Sequence, residues 1–439
     1  MRAIVAIAPG GENILRHIRF DAPDSSLILA CAKAAPLSVL YWGAALPLGV
    51  DAPALEGLSE RQGMHGVADI SLPLSLAMEP GLGHPMFHGF AAHREGKDWG
   101  SVFAVAKVEP RDQGTKIICR DERTRLGLEY EIDFDGNSGV LRIRSTLTNY
   151  GATPLDLNDM MTACLPVPDM MTDIIGFTGR WTQEFTQERE QRNAATYLRE
   201  NRSGRTSHFS YPAIWLAAAN THESAGEAYG FHLAFSGNHR LRVDSLTDGR
   251  VLTSLGALLL PGEVRLAPGE SYASPEIVAA YSGTGLSALS RKFHDHVRTK
   301  LLRPETRAKP RPVHYNTWES VYFDYDINKL KEIATRAAEI GVERFVLDDG
   351  WFGGRRHDRA GLGDWTVSRD VYPDGLGPLV KHVKGLGMEF GLWFEPEMAN
   401  PDSDLYRAYP DWVLGLEGVE QVPFRSQLAL DISRPEVAD

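Results

Sequence analysis

The sequence predicts a multidomain β plus α/β chain, with a large antiparallel β-sandwich followed by parallel βα units. Three observations carry this reading. From residue 1 to residue 282, short apolar segments are bounded by Gly, Pro, Asn and Asp, the pattern of many short strands. At Gly283-Thr284-Gly285 the texture changes. Beyond about residue 312, strand and helix patterns alternate, the order that builds a parallel sheet.

In the first region, Leu27-Ile28-Leu29-Ala30, Val102-Phe103-Ala104-Val105-Ala106 and Leu141-Arg142-Ile143-Arg144-Ser145-Thr146-Leu147 read as strands. The last alternates apolar and polar side chains, as a half-buried strand does. From Leu286 to Leu302, the residues Leu289, Phe293, Val297 and Leu301 recur at helical spacing. Pro304, Pro310 and Pro312 then punctuate a linker. The expected organisation is a sandwich over 1–282, a helix and linker over 283–312, and βα units over 313–439.

The βα region starts with a strand at Val313–Trp318. A helix over Asp326–Ile340 carries Ile327, Leu330, Ile333, Ala337 and Ile340 on one face, and Gly341 suits its C-terminal stop. A second strand, Arg344–Leu347, leads to Asp348-Asp349-Gly350. A second helix carries Leu376, Leu379, Val383 and Leu386 and closes at Gly387. The third strand is Glu389–Phe394.

The 439 residues suggest two or three domains. A hydrophobic share of 43% and a charged share of 24% are ordinary for a globular protein. The net charge of −12 argues against a nucleic-acid partner, which selects a basic face. Cys31, Cys119 and Cys164 are odd in number and widely spaced. They offer neither a zinc spacing nor a disulfide framework, and they suit a reducing compartment. The apolar run Ala3-Ile4-Val5-Ala6-Ile7 breaks at Pro9-Gly10, too short for a signal segment, and no run of about 20 apolar residues follows. A cytoplasmic protein with no membrane partner is expected.

Asp348-Asp349 closes the second strand, and Trp351-Phe352 and Gly363-Asp364-Trp365 follow. Adjacent carboxylates accept hydrogen bonds from vicinal sugar hydroxyls, while aromatic rings cover the sugar's C–H face. A bare Asp-Asp pair also serves as a helix cap or turn. Trp393 lies near the end of the third strand and Trp318 at the end of the first; either alone could be a core tryptophan. Three successive strand ends nevertheless carry an aromatic beside a carboxylate, on the face where a (β/α)8 barrel builds its active site. A retaining glycosidase needs two carboxyl groups about 5–5.5 Å apart across the bond. Neighbours such as Asp348 and Asp349 cannot flank a bond that way, so they read as binders. His357 lacks a second histidine at ligand spacing, and neither metal nor cofactor is expected.

These motifs have a familiar order and spacing. Asn316-Thr317-Trp318-Glu319, Asp348-Asp349-Gly350-Trp351-Phe352, Leu362-Gly363-Asp364-Trp365, Trp393-Phe394-Glu395-Pro396-Glu397-Met398 and Pro410-Asp411-Trp412-Val413-Leu414 resemble the barrel of glycoside hydrolase family 36 α-galactosidases. Tyr41-Trp42-Gly43, Gly179-Arg180-Trp181, Gly204-Arg205-Thr206-Ser207-His208 and Ser236-Gly237-Asn238 extend the resemblance into the β-rich region. The resemblance implies an N-terminal β-supersandwich and a (β/α)8 TIM barrel, of which this chain carries about three of eight units. It implies retaining exo-hydrolysis of terminal α-galactosyl residues, as in melibiose and raffinose. Asp348 and Asp349 would hold the O4 and O6 hydroxyls, Trp393 would line the pocket with Trp318 near it, and Arg425 would contact substrate. Trp181 matches a tryptophan that a neighbouring subunit contributes in homotetrameric members.

The resemblance also implies an aspartate nucleophile in a Lys-x-Asp-x-Asn motif on the fourth barrel strand, and a general-acid aspartate further on. No such motif occurs in the 439 residues. Both catalytic residues are therefore expected beyond Asp439, and this chain alone is expected to be inactive. Alternative readings are a non-catalytic galactoside-binding remnant, or an α-N-acetylgalactosaminidase or galactosyl transferase of the same superfamily. The stretch Gly81–Gly89 replaces the family's Gly-Asp-Phe-Arg-like segment, which bears on leaving-group preference and assembly.

Overall fold

Strand Leu141–Asn149 buries every second side chain, from Leu141 through Ile143, Ser145 and Leu147 to Asn149, because alternate residues on a pleated strand face opposite sides. In the computed structural model, which describes residues 17–50, 52–59, 74–83, 88–193, 195–206, 209–416 and 418–438, this strand lies within a ten-stranded antiparallel sheet. It sits between Leu126–Phe134 and Glu276–Ser282, and Gln183–Gln191 forms one sheet edge. A six-stranded antiparallel sheet centred on Leu155–Val167 and Val251–Ala257 is the second layer. Tyr130, Ile132, Ile143 and Leu147 from the first layer share one core with Leu165, Leu241, Val243 and Leu255 from the second. Each such buried aliphatic side chain contributes about 1.5–3 kcal/mol. The three cysteines are buried.

The chain divides into two compact units, the first ending at Leu302 and the second starting at Arg303. Two sequence expectations shift in the first unit. The strand expected at Val102 starts at Ala104. Val102 N–H instead donates to Asp121 Oδ2 and Phe103 N–H to Glu79 Oε1, so side chains replace the ladder there. The helix expected to Leu302 runs as a regular helix only over Leu286–His296. It then widens over Val297–Leu301, closed by Leu302 N–H on the Val297 carbonyl. That wider turn leaves Val297 and Leu301 exposed. The opening segment 1–16, residues 84–87 of the Gly81–Gly89 stretch, and Ser207 and His208 lie outside the described residues.

In the second unit, β1 (His314–Asn316), β2 (Arg344–Leu347) and β3 (Glu389–Leu392) pair in parallel, with β2 in the middle. Helices α1 (Trp318–Val321), α2 (Ile327–Glu339) and α3 (Gly377–Gly385) connect them, giving the first part of a βα barrel. Asp326 caps α2 by accepting from Asn328 N and Lys329 N, both at 2.8 Å, which satisfies two orphan helix donors. Leu330 and Ala334 pack with Phe345, Leu347, Leu379 and Val383. Ile340, expected on that buried face, is 82% exposed. It is the C-cap residue, and the chain leaves the helix at Gly341 with φ 92°. Two strand ends also move: β3 stops at Leu392, and Trp318 is the first residue of α1 rather than the last of β1. Among the described residues no helix is long and apolar enough to cross a membrane.

Candidate functional site

Parallel pairing brings the C-terminal ends of β1, β2 and β3 side by side, so the residues just after them meet. Asn316 ends β1 and serves two neighbours. Its side-chain amide donates to Asp348 Oδ2, and its Oδ1 accepts from Trp318 N at 2.7 Å. The second bond turns the chain into α1 and sets Trp318. Thr317 Oγ1 accepts from Asp348 N–H at 3.0 Å, and Asp348 Oδ1 accepts from Asp349 N–H at 2.7 Å. Asp348 is thus locked by groups from two strand ends.

Asp349 is held differently. Arg355 Nε donates to both Asp349 oxygens at 2.9 and 3.1 Å, and Nη2 donates to Oδ2 at 2.7 Å. Asp349 is 5% exposed and Arg355 1%. Such a fork-to-carboxylate pair is geometrically specific and charge-assisted. Arg355 Nη1 also donates to Asn400 Oδ1 at 2.9 Å. Asn400 is fully buried; its Oδ1 takes Leu362 N–H, and its Nδ2 donates to the Asp358 and Ser426 carbonyls. One asparagine therefore ties the Asp349–Arg355 pair to the segment carrying Arg425.

That segment is a tight two-residue turn. Phe424 and Gln427 exchange backbone hydrogen bonds at 3.0 and 2.9 Å, with Arg425 at φ 52° and Ser426 at φ 61°. Positive φ at both central positions favours Asn-Gly, so an Arg-Ser pair stores strain there. The exposed Arg425 guanidinium lies in the field of Glu395. Burial raises the Glu395 carboxyl above its usual range and Glu397 adds to this, while Arg425 opposes it.

The aromatic wall follows β3. Trp393 N–H donates to the Leu347 carbonyl at 2.9 Å, and Trp351 Nε1 donates to the Trp393 carbonyl at 3.0 Å. Phe352 stacks on Trp393 at 6.4 Å and meets Trp365 at 4.4 Å between ring centroids. Trp318 meets Phe323 edge-on at 5.1 Å, and the Arg355 guanidinium lies 5.4 Å over the Phe323 ring.

The structure therefore gathers Asp348, Asp349, Trp393, Trp318 and Arg425 into one linked network within the second unit. Trp181 belongs to the first unit. It is 78% exposed, at the tip of the hairpin between Asp173–Arg180 and Gln183–Gln191. Arg355 and Asn400 were missed by sequence reasoning. A cation six positions after two carboxylates was a readable sign for Arg355. Asn400 carries no local signal, because its partner is 45 residues away. Chemically, the network presents two fixed, buried carboxylates beside an aromatic surface, an arrangement suited to sugar hydroxyls and a sugar C–H face.

Residues 35–267 match the glycosyl hydrolase family 36 N-terminal domain, and residues 271–439 match melibiase. The chain is 40% identical over 429 residues to an α-galactosidase of Escherichia coli, covering 97% of this chain and 59% of that protein. It is 39% identical over 316 residues to α-galactosidase AgaA of Geobacillus stearothermophilus, covering 72% of this chain and 43% of AgaA. A crystal structure of AgaA superposes with a TM-score of 0.88 at 31% identity, covering 96% of this chain and 62% of that one. AgaA variants have been crystallised with raffinose and with stachyose. The chain thus spans less than two thirds of these relatives. With both domain matches in order along almost its entire length, the chain belongs to glycoside hydrolase family 36.

Proposed function

We propose that this chain supplies the sugar-binding part of a retaining exo-α-galactosidase acting on oligosaccharides such as melibiose and raffinose. The observation that carries the reading is the Asp348-Asp349 pair, pinned by Asn316 and Arg355 beside Trp393. Two carboxylates held still accept from the O4 and O6 hydroxyls without reorganising on binding, and an axial O4 distinguishes galactose from glucose. Trp393 covers the apolar face of the ring, Trp318 stands at the rim, and Arg425 reaches the substrate from its strained turn. The raffinose and stachyose complexes of AgaA support this substrate class.

Hydrolysis with retention needs a nucleophile and a general acid. The Lys-x-Asp-x-Asn motif that carries the family nucleophile is not among these residues, so this chain binds galactose without turning a galactoside over. The whole protein is proposed to be a cytoplasmic homo-oligomer. Three buried, widely spaced cysteines suit a reducing compartment, and the exposed Trp181 hairpin suits contact with a neighbouring subunit.

Calorimetric titration with D-galactose and D-glucose tests the proposal. Galactose should bind in the millimolar range, glucose at least about tenfold more weakly, and Asp348→Asn should cost about tenfold. Equal affinities for the two sugars would refute the galactose assignment. Release of nitrophenol from an aryl α-galactoside by the purified chain would refute the binding-only reading.

A further inference from the structure

Arg425 is exposed, and its guanidinium hydrogen-bonds to no described residue; Glu395 acts on it only through its field. With no side chain holding it, its placement is set by its backbone turn. That turn stands where two unlike stretches meet. Before it, Leu416, Val419, Val422 and Phe424 are exposed. After it, Gln427 and Leu428 are buried, and Leu428-Ala429 pairs with Met398-Ala399. Arg425 and Ser426 both hold a positive φ, a conformation that costs free energy at any residue with a Cβ. Such a turn persists only where its surroundings over-determine it, and the exposed stretch before it supplies little.

The fully buried Asn400 grips it from the other side. Its Nδ2 donates to the Ser426 carbonyl at 2.7 Å and to the Asp358 carbonyl at 3.2 Å. Its Oδ1 accepts from Arg355 Nη1 and from Leu362 N–H, both at 2.9 Å. A side-chain amide has two donor hydrogens and two acceptor lone pairs, and here all four are engaged. The backbone of Asn400 is fixed as well. Its N–H donates to the Leu362 carbonyl at 3.0 Å, and its carbonyl accepts from Ser403 Oγ at 2.8 Å. A carboxylate at this position could not donate to the turn, and an apolar side chain could neither donate nor accept. The amide therefore joins the guanidinium that neutralises Asp349 to the carbonyl beside Arg425.

From the filled amide, the strained turn and the otherwise unheld guanidinium, we propose that Asn400 is a positioning residue. It fixes Arg425 relative to the Asp349 carboxylate, so that both meet the sugar in one preorganised arrangement. The proposal rests on the galactoside reading of this site. Asn400→Asp tests it, because the side chain keeps its size and its acceptors but loses its donors, and the Asp349–Arg355 bonds remain. Amide hydrogen exchange of the full chain, read by mass spectrometry, should quicken about tenfold at Phe424 and Gln427, the pair closed across the turn, and stay unchanged in β2. D-galactose should bind about tenfold more weakly in calorimetric titration. Ser426→Gly added to Asn400→Asp should recover most of that loss, since glycine adopts the turn without strain. Where Asn400→Asp does not fold, Asn400→Ala, which removes the donors without adding a charge, decides the same measurements. Absence of galactose binding, or an affinity that Arg425→Gln leaves unchanged, overturns the reading beneath the proposal and the proposal with it. With that reading intact, the proposal is overturned by unchanged exchange at the turn, by equal quickening at the turn and in β2 in both variants, or by galactose affinity that holds when the turn loosens.

Discussion

Replacing Arg355 by Met tests how the site is built. The change removes a guanidinium that is 1% exposed and makes three hydrogen-bond contacts with Asp349. Asp349, 5% exposed, is left as a buried carboxylate without its counter-charge. Removing one member of a buried ion pair costs about 3–5 kcal/mol, whereas replacing both by apolar groups is often neutral. Arg355→Met alone should therefore destabilise the second unit by about 3–5 kcal/mol, and Arg355→Met with Asp349→Leu should recover most of that loss. Asn400 helps the double variant, since its Oδ1 keeps the Leu362 N–H. Urea unfolding followed by tryptophan fluorescence reads the effect. Trp318, Trp351, Trp365, Trp393 and Trp412 lie in the second unit, and Trp42, Trp99, Trp181 and Trp215 in the first. With a slope of about 2 kcal/mol per molar urea, the single variant moves the midpoint by roughly 2 M. Added salt should change this little, because a buried pair is poorly screened. A midpoint shift below about 0.5 M, or losses that simply add in the double variant, would refute the reasoning.

Three further outcomes follow from particular side chains. Trp393→Ala should weaken galactose binding about three- to tenfold, the worth of one aromatic face, in the same calorimetric titration. Ser426→Gly should raise stability by about 1 kcal/mol, because glycine adopts the φ of 61° without the penalty an L side chain meets there; an unchanged urea midpoint would contradict the strain. Glu79 is fully buried, accepts from Ser75 Oγ and Phe103 N, and burial raises its carboxyl above the ordinary 4.5, with Asp121 adding to this. The folded state then holds the Glu79 proton more tightly than the unfolded chain. This contribution is present below 4.5 and is lost as pH rises through the folded value. Glu79→Gln, uncharged and able to keep both bonds, should remove that decline and be the more stable form at neutral pH; thermal melts across the pH range check the slope.

Much of the fold was legible. Strand alternation at Leu141–Asn149, the change of texture at Gly283, and the stop signals Gly341 and Gly387 are local patterns, and local patterns record which side of an element is buried. Element ends were less legible, because they depend on competitors elsewhere in the chain. Asp121 and Glu79 take the amides of Val102 and Phe103, and Asn316 turns Trp318 into a helix. Within the site, Asp348, Asp349 and Trp393 could be found because strand ends carry the chemistry of a βα barrel.

The sequence by itself determined the two-part architecture, the position of the carboxylate pair after β2, and the resemblance to a family, since periodicity and ordered motifs survive in one dimension. Only the tertiary structure decided that Asp348 is locked by Asn316 while Asp349 is neutralised by Arg355, and that Asn400 joins both to the Arg425 turn. The physical reason is the same in each case. A buried polar group is defined by its partners, and these partners are brought close only by sheet pairing and packing of segments far apart in the chain.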